Sequence, residues 1–189
     1  MYDYLKQYYP VSDDFCEVLS TLCEQKVFSK KELLVSSGSG CNNLYFISEG
    51  FCVCYFEKDG REFVVRFFKE GDVCTPLHSF LGHKKSFFCV RANERTTALC
   101  ISRKNFDYLW QHFDDFICLI YAVLEKHAVE FEEQFYWMRN LSSVERIRHY
   151  IETHEIQILL QRVPQYLVAS YLQMTAEHYA KLQSRLNKE

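Results

Sequence analysis

The hydrophobic pattern of this 189-residue chain changes twice along its length. Residues 1 to about 30 carry apolar side chains at helical spacing, and Ser12-Asp13-Asp14 supplies a helix start signal. Residues 32 to about 102 instead carry short runs of β-branched and aromatic residues. The helical period then returns and continues to the last residues. The pattern predicts an α+β chain, with a β domain followed by helices.

Five segments of the middle region are predicted strands, and turn signals separate them. The segments are residues 44–48, 51–56, 62–68, 87–92 and 97–101. Asp59-Gly60 lies between the second and third segments, and Asp-Gly is a strong signal for a two-residue hairpin. Short, closely spaced strands of this kind indicate a β sandwich or jelly roll.

Two helices are predicted after the strands, a short one over residues 105–112 and a long one over residues 114–138. Seven residues of the long helix recur at alternating steps of three and four. They are Ile117, Ile120, Leu124, His127, Phe131, Gln134 and Met138. This is the spacing of a coiled-coil seam, so we expect the helix to pair two subunits. The alternative is a helix that lies along its own β domain.

The last part of the chain has the pattern of a helical region that ends in two short helices and a tight turn. A helix over residues 142–154 begins at the capping box Ser142-Ser143-Val144-Glu145. Residues 163–186 then read as two short helices joined by a tight turn, and Thr175 is the N-cap of the second. The apolar stripe of the first helix is Leu167, Val168, Tyr171 and Leu172, and that of the second is Tyr179, Leu182 and Leu186. A second helix with polar and basic side chains is typical of a helix-turn-helix, whose second helix enters the DNA major groove. An ordinary helical hairpin is the alternative.

Composition and charge narrow the possibilities further. With 48% hydrophobic and 25% charged residues the chain is globular. No apolar run approaches the roughly 20 residues of a membrane span, and the first residues lack a signal peptide, so we expect a cytoplasmic protein without a membrane partner. The formal net charge is −3. Residues 139–189 hold seven Lys/Arg and five Glu, so a mildly basic tail follows an acidic body.

Nine cysteines are present, without a Cys-x-x-Cys motif. We expect reduced core cysteines rather than an iron–sulfur cluster or a redox-sensing pair. A metal enzyme on a strand framework needs clustered histidines, whereas His78 and His83 lie in a loop-like stretch without a His-x-His pair. Because nucleophile motifs and phosphate loops are also lacking, we expect neither an enzyme nor a metal site.

The order of a jelly roll, a long helix and a helix-turn-helix resembles the Crp/Fnr transcription regulators. The residues that carry the resemblance are the strand-turn Leu44-Tyr45-Phe46-Ile47-Ser48-Glu49-Gly50-Phe51, the hairpin Asp59-Gly60-Arg61-Glu62, the turn Glu70-Gly71-Asp72, Ala92, and the tail from Leu159 to Leu186. The resemblance implies a sensor domain over residues 1–112, a dimerisation helix over 113–139 and a DNA-binding domain over 140–189. It also implies a homodimer, double-stranded DNA as a partner, and a small-molecule effector.

The segment that would bind the effector departs from the family. Cyclic-nucleotide-binding members carry a Gly-Glu pair where this chain has Thr75-Pro76, and proline has no backbone donor. The arginine that clamps the cyclic phosphate falls near Lys84-Lys85-Ser86, where only point-charge lysines are available. We therefore expect an effector other than cyclic AMP, or none. The candidate pocket residues are Thr75, Leu77, His78, Lys84, Lys85, Ser86 and Arg91.

Some members of this family sense oxygen through an iron–sulfur cluster, and others sense carbon monoxide through haem. The spacing of Cys16 and Cys23 does not match the cluster ligands of oxygen sensors. Cys74 and His78 lie near the haem-ligand region of carbon-monoxide sensors, but again with different spacing. We expect no cofactor, neither haem nor an iron–sulfur cluster.

The predicted reading helix keeps part of the family pattern. Glu177 and Lys181 fall on base-reading positions, and the full candidate set is Thr175, Glu177, His178, Lys181, Gln183, Ser184 and Arg185. Gln173 replaces the turn glycine, and we expect the β-wing that follows the reading helix in relatives to be missing. These departures favour an alternative function, a ligand- or partner-binding sensor module that has lost specific DNA binding.

Overall fold

The computed structural model describes residues 5–152 and 155–186. The strands are β1 (Cys23–Phe28), β2 (Leu33–Val35), β3 (Asn43–Glu49), β4 (Cys52–Lys58), β5 (Arg61–Phe68), β6 (Cys89–Ala92) and β7 (Thr96–Ser102). The helices are α1 (Asp13–Leu22), α2 (Leu77–Phe80), α3 (Arg103–His112), α4 (Asp114–Asn140), α5 (Ser143–Glu152), α6 (Glu155–Arg162), α7 (Gln165–Tyr171) and α8 (Ala176–Leu186).

The strands form two sheets, a three-stranded one in the order β1-β7-β3 and a four-stranded one in the order β2-β6-β4-β5. Strand β7 pairs antiparallel with both of its neighbours, and β2 pairs antiparallel with β6. Ile47, Val53, Val90 and Ala98 are completely buried. The predicted β sandwich with a long helix after it is confirmed.

The β4–β5 hairpin turns on the two residues that the sequence identifies. Strand β4 ends at Lys58 and β5 begins at Arg61, which leaves Asp59 and Gly60 as the loop. Their φ angles are 52° and 71°, both in the left-handed region. Two consecutive positive φ values define the turn whose twist matches that of the flanking strands, which explains the Asp-Gly pair.

Strand β1 corrects the prediction that residues 1 to about 30 are helical. Helix α1 ends at Leu22, where the side-chain amide of Asn105 donates to the Leu22 carbonyl at 2.8 Å. The next six residues all pair with β7. Their local pattern, three polar residues between Cys23 and Val27-Phe28, does not alternate, so the strand is decided by pairing with a distant segment. Glu24 and Lys26 place charges on this edge strand, which protects it from pairing with other chains.

Strand β6 and helix α2 also differ from expectation. The strand begins at Cys89, so Phe87 and Phe88 lie in the preceding loop, and Phe87 is 63% exposed. The four-residue helix α2 lies in the segment where no helix is predicted. The capping box at the start of α5 is confirmed, because the Ser142 N–H donates to the Glu145 carboxylate at 2.7 Å and Glu145 N–H donates back to the Ser142 hydroxyl at 3.4 Å.

The chain divides into two compact units. The first comprises Met1–Cys54 and Phe67–Val129, and the second comprises Tyr55–Arg66 and Glu130–Glu189. In the first unit, the rings of Phe15, Phe106 and Phe116 pack together with centroids 5.1–6.3 Å apart. In the second unit, α5, α7 and α8 enclose a core of Ile147, Tyr150, Leu167, Val168, Leu172 and Tyr179. No helix within residues 5–152 and 155–186 is long and apolar enough to cross a membrane.

Candidate nucleic-acid interface and sensor segment

The turn between α7 and α8 is built around Gln173. Its φ of 57° lies in the left-handed region that favours glycine. Gln173 N–H donates to Ser170 at 3.0 Å, and Met174 N–H donates to Ala169 at 3.0 Å. The guanidinium of Arg146 on α5 donates to the Leu172 carbonyl at 2.7 Å, which holds the turn against the helical core. Arg146 was not singled out from the sequence, because a surface arginine carries no pattern of its own.

Helix α8 has one buried face and one exposed polar face. The Thr175 hydroxyl accepts from the His178 N–H at 3.1 Å, so Thr175 caps the helix as predicted. Tyr179 and Leu182 are buried. Among the predicted reading residues Gln183 is half-buried and the others are exposed: Thr175, Glu177, His178, Lys181, Ser184 and Arg185. Their role in reading DNA stays a prediction.

An exposed aromatic residue, Tyr166, lies on α7 close to α8. Tyr166, in the first turn of α7, is 53% exposed. The side-chain amide of Gln165 donates to that of Gln183 at 3.4 Å, so the start of α7 lies beside α8. Tyr166 is not among the residues predicted from the sequence to contact DNA. Its signal is an aromatic residue directly after the helix start signal Pro164-Gln165.

Helix α4 places the predicted coiled-coil residues in two different environments. Ile117, Leu124, Phe131 and Met138 are exposed or half-buried. Ile120 and His127 are buried in the first unit, and His127 lies 6.5 Å from the ring of Phe68. Gln134 donates to the Val65 carbonyl at 3.1 Å within the second unit. These three positions face the subunit's own interior, which corrects the predicted seam.

A different heptad stripe lies open on the same helix. Ile117, Tyr121, Leu124, Ala128, Phe131, Phe135 and Met138 follow steps of four and three, and each is exposed or half-buried. The stripe shares four residues with the predicted seam. The sequence could not choose between the two, because both sets satisfy heptad spacing and the fold decides which flank is covered.

In the sensor segment, two of the predicted polar side chains already have partners. The Thr75 hydroxyl accepts from the Tyr45 N–H at 2.9 Å. The Ser86 hydroxyl donates to the Phe88 carbonyl at 2.8 Å and accepts from the Phe88 N–H at 3.0 Å. Both residues are buried. Their hydroxyls therefore hold the segment together, and their role in binding an effector stays a prediction.

The remaining predicted pocket residues lie at or near the surface. His78, Lys84 and Lys85 are exposed, whereas Leu77 and Arg91 are half-buried. The His78 ring stacks on the exposed Phe87 at 4.4 Å. A cavity of about 30 Å³ lies elsewhere in the first unit, between apolar residues that include Leu44, Val73 and Val123, and none of the seven predicted residues lines it.

The comparisons with known proteins agree with this architecture. The cyclic nucleotide-binding domain family matches residues 25–113. The matched residues run from the middle of β1 to just past the end of α3. The c-di-GMP-responsive global regulator CLP of Xanthomonas campestris has a TM-score of 0.74 at 16% identity, and the match covers 94% of this chain and 92% of that one. A comparison with curated proteins finds no match.

Two further solved structures share the fold over most of its length. FixK2 of Bradyrhizobium japonicum has a TM-score of 0.73 at 15% identity, covering 88% of this chain and 85% of that one. A CooA mutant from Carboxydothermus hydrogenoformans has a TM-score of 0.71 at 19% identity, covering 94% and 81%. At these identities the likeness establishes the fold alone.

Three thiols of the first unit have raised pKa values. Burial raises the pKa of Cys23 and of Cys100 to about 12. Burial, followed by contact with Cys52, raises the pKa of Cys74 well above its usual value. Cys74 and His78 lie near the region that holds haem in carbon-monoxide sensors of the family. Cys74 is completely buried whereas His78 is exposed, so the two side chains do not share a site. Among the described residues, no group of three or more His, Cys, Asp or Glu is placed to hold a metal ion.

Proposed function

We propose that this protein is a homodimeric transcription regulator that reads double-stranded DNA with α8. It is not an enzyme, and its effector is a molecule other than cyclic AMP, or it has none. The two α8 helices of a dimer would enter successive major grooves about 34 Å apart on a two-fold symmetric site.

One observation carries the proposal, namely the exposed row on α8. Glu177, His178 and Lys181 are exposed on α8, whose Tyr179 is buried, and they follow immediately after a capped helix start. A carboxylate can accept from a cytosine amino group, and lysine can reach guanine O6 or N7. The acidic Glu177 also suits the first turn, where the helix dipole favours negative charge.

The dimer seam in this proposal is the open heptad stripe of α4. Aromatic and aliphatic residues at both heptad positions would be buried by a second copy, with Ala128 allowing close approach at the middle of the stripe. Ile120 and His127 instead anchor α4 to its own domain. A long exposed apolar stripe is costly in a monomer, which favours its burial between two copies.

The sensor segment supports the exclusion of cyclic AMP. The buried hydroxyls of Thr75 and Ser86 are engaged within the chain, and Pro76 offers no N–H. The available cations, Lys84 and Lys85, are exposed and lack the bidentate geometry of arginine. An effector would therefore have to be recognised by chemistry other than a clamped cyclic phosphate.

Selection from randomised duplex DNA at about 150 mM salt tests the proposal, since specific binding must survive ionic screening. We expect enrichment of a two-fold symmetric motif, lost in Lys181→Ala and kept in Lys104→Ala, a matched change at an exposed lysine of α3. The absence of any motif, even with cell extract as a source of effector, would favour the alternative of a sensor module without specific DNA binding.

A further inference from the structure

Within the second unit, helix α7 lies against the outer edge of strand β5. β5 is the last strand of its sheet, so its outer backbone groups lack a strand partner. Ser170 on α7 supplies one. Its hydroxyl accepts from the Val64 N–H at 2.9 Å and donates to the Glu62 carbonyl at 3.1 Å.

The geometry of this contact imitates strand pairing. In a parallel ladder, one residue bonds to the carbonyl of residue i and the N–H of residue i+2 on its neighbour. The Ser170 hydroxyl makes both bonds from a single oxygen, because a hydroxyl is a donor and an acceptor at once. A helix residue thereby takes the place of a further strand. Alanine at this position could make neither bond.

The same stretch of β5 also binds helix α4. Gln134 donates to the Val65 carbonyl at 3.1 Å, and Arg66 forms an ion pair with Glu130. Residues 62–66 are thus a common support for α4, the proposed dimer helix, and for α7, which precedes the reading helix.

We propose that the bonds of Ser170 to Glu62 and Val64, called here the β5 latch, set the orientation of α7 and α8 relative to the part of α4 that lies in the second unit. Ser170 is a positioning residue in this inference. Two neutral hydrogen bonds at a half-buried strand edge exchange with water at small net cost, so the latch can open and close. Movement of the β4–β5 hairpin would then shift the population of reader orientations. The inference rests on the proposed function for what α8 reads, but not for the latch itself.

Amide hydrogen exchange tests the latch without DNA. In Ser170→Ala the Val64 amide should exchange about three- to ten-fold faster than in the wild type, the range that corresponds to one net hydrogen bond. Ser170→Thr, which keeps the hydroxyl, should restore protection. Ser20→Ala, at an exposed serine of α1, controls for the higher helix propensity of alanine. Unchanged exchange at Val64 in Ser170→Ala would overturn the latch.

DNA affinity on the selected motif tests what the latch does. Ser170→Ala should bind about three- to ten-fold more weakly, because an unrestrained reader must be ordered on binding, and Ser170→Thr should bind like the wild type. Faster exchange with unchanged or tighter DNA binding would overturn the positioning role. If the wild type itself binds no DNA, the proposed function fails, and the exchange experiment alone decides whether the latch exists.

Discussion

The ammonium of Lys126 on α4 donates to the carboxylate of Asp72 at 3.0 Å. It also donates to the Tyr8 hydroxyl at 3.2 Å, which in turn donates to the Gly71 carbonyl at 2.9 Å. Burial lowers the pKa of Lys126, but the charge and hydrogen bonds of Asp72 and Tyr8 outweigh burial and raise it. The turn that leads into the sensor segment is thereby tied to the long helix of the same unit.

Replacing this lysine should destabilise the protein. Lys126→Met leaves the nearly buried Asp72 carboxylate without its cation, and we expect a loss of about 1–2 kcal/mol, reduced from the cost of a fully buried pair because Lys126 is partly exposed. Urea unfolding measures the loss. Lys104→Met, at an exposed lysine, should lie within about 0.5 kcal/mol of the wild type. Equal effects of the two changes would contradict a structural role for the Asp72–Lys126 pair.

Acid should weaken the contact between the start of α1 and the start of α4. The hydroxyl of Ser12, at 2.6 Å, and its N–H, at 3.0 Å, donate to the Asp115 carboxylate and lower its pKa below the ordinary 3.8. Because the folded-state pKa is lower, the contribution to stability is present above pH 3.8 and is lost as the pH falls through the folded value.

Asp115→Asn should therefore be less stable than the wild type at neutral pH, and the gap should close as the pH falls below about 4. Urea unfolding between pH 3 and 7 measures the gap. Asp114→Asn, at an exposed carboxylate of the same helical turn, provides the control. A gap that stays constant with pH would show that Asp115 acts through packing rather than charge.

The left-handed turn residue offers a stabilising change. Gln173→Gly removes the strain of a side chain at a φ of 57°. The gain of about 1–2 kcal/mol is partly offset by the greater freedom of glycine in the unfolded chain, so we expect a net gain of up to about 1 kcal/mol. Gln183→Gly, inside α8, should instead cost about 1 kcal/mol. Thermal unfolding of both variants measures these changes in stability. A loss of stability in Gln173→Gly would show that the side chain of Gln173 does not strain the turn.

The oligomeric state of two variants tests whether the open heptad stripe of α4 is the dimer seam. Phe131 is 65% exposed on the open heptad stripe, and Tyr136 is 61% exposed outside it, so they form a matched pair. Phe131→Glu should convert the proposed dimer to a 22.6 kDa monomer, because it places a charge in the seam. Tyr136→Glu should leave the dimer intact. Light scattering after size exclusion measures both masses, and dissociation by Tyr136→Glu alone would move the seam to the other flank.

Two thiols of strands β1 and β7 should resist alkylation. With pKa values of about 12, Cys23 and Cys100 hold almost no thiolate at pH 7.5. We expect iodoacetamide to label them only after unfolding, as peptide mass spectrometry would report. Rapid labelling of either in the folded protein would mean that the strands around them open.

Much of the fold follows from local patterns that the sequence displays directly. Asp59-Gly60 determines its hairpin because its two residues supply the positive φ angles themselves. Ser142 and Glu145 determine a helix start because their side chains bond to each other's backbone. The polar face of α8 follows from helical spacing alone. In each case the interacting groups lie within a few residues of one another, so no distant partner is needed.

The tertiary structure decided everything that depends on which surface a distant segment covers. Strand β1 exists because β7 pairs with it, although its own residues lack a strand pattern. The choice of Tyr121, Ala128 and Phe135 over Ile120, His127 and Gln134 on α4 depends on what the rest of the fold buries. The bonds of Ser170 to β5 join residues 106 and 108 positions apart. Spacing along a chain reveals which residues share a face, but only packing selects the face that remains open.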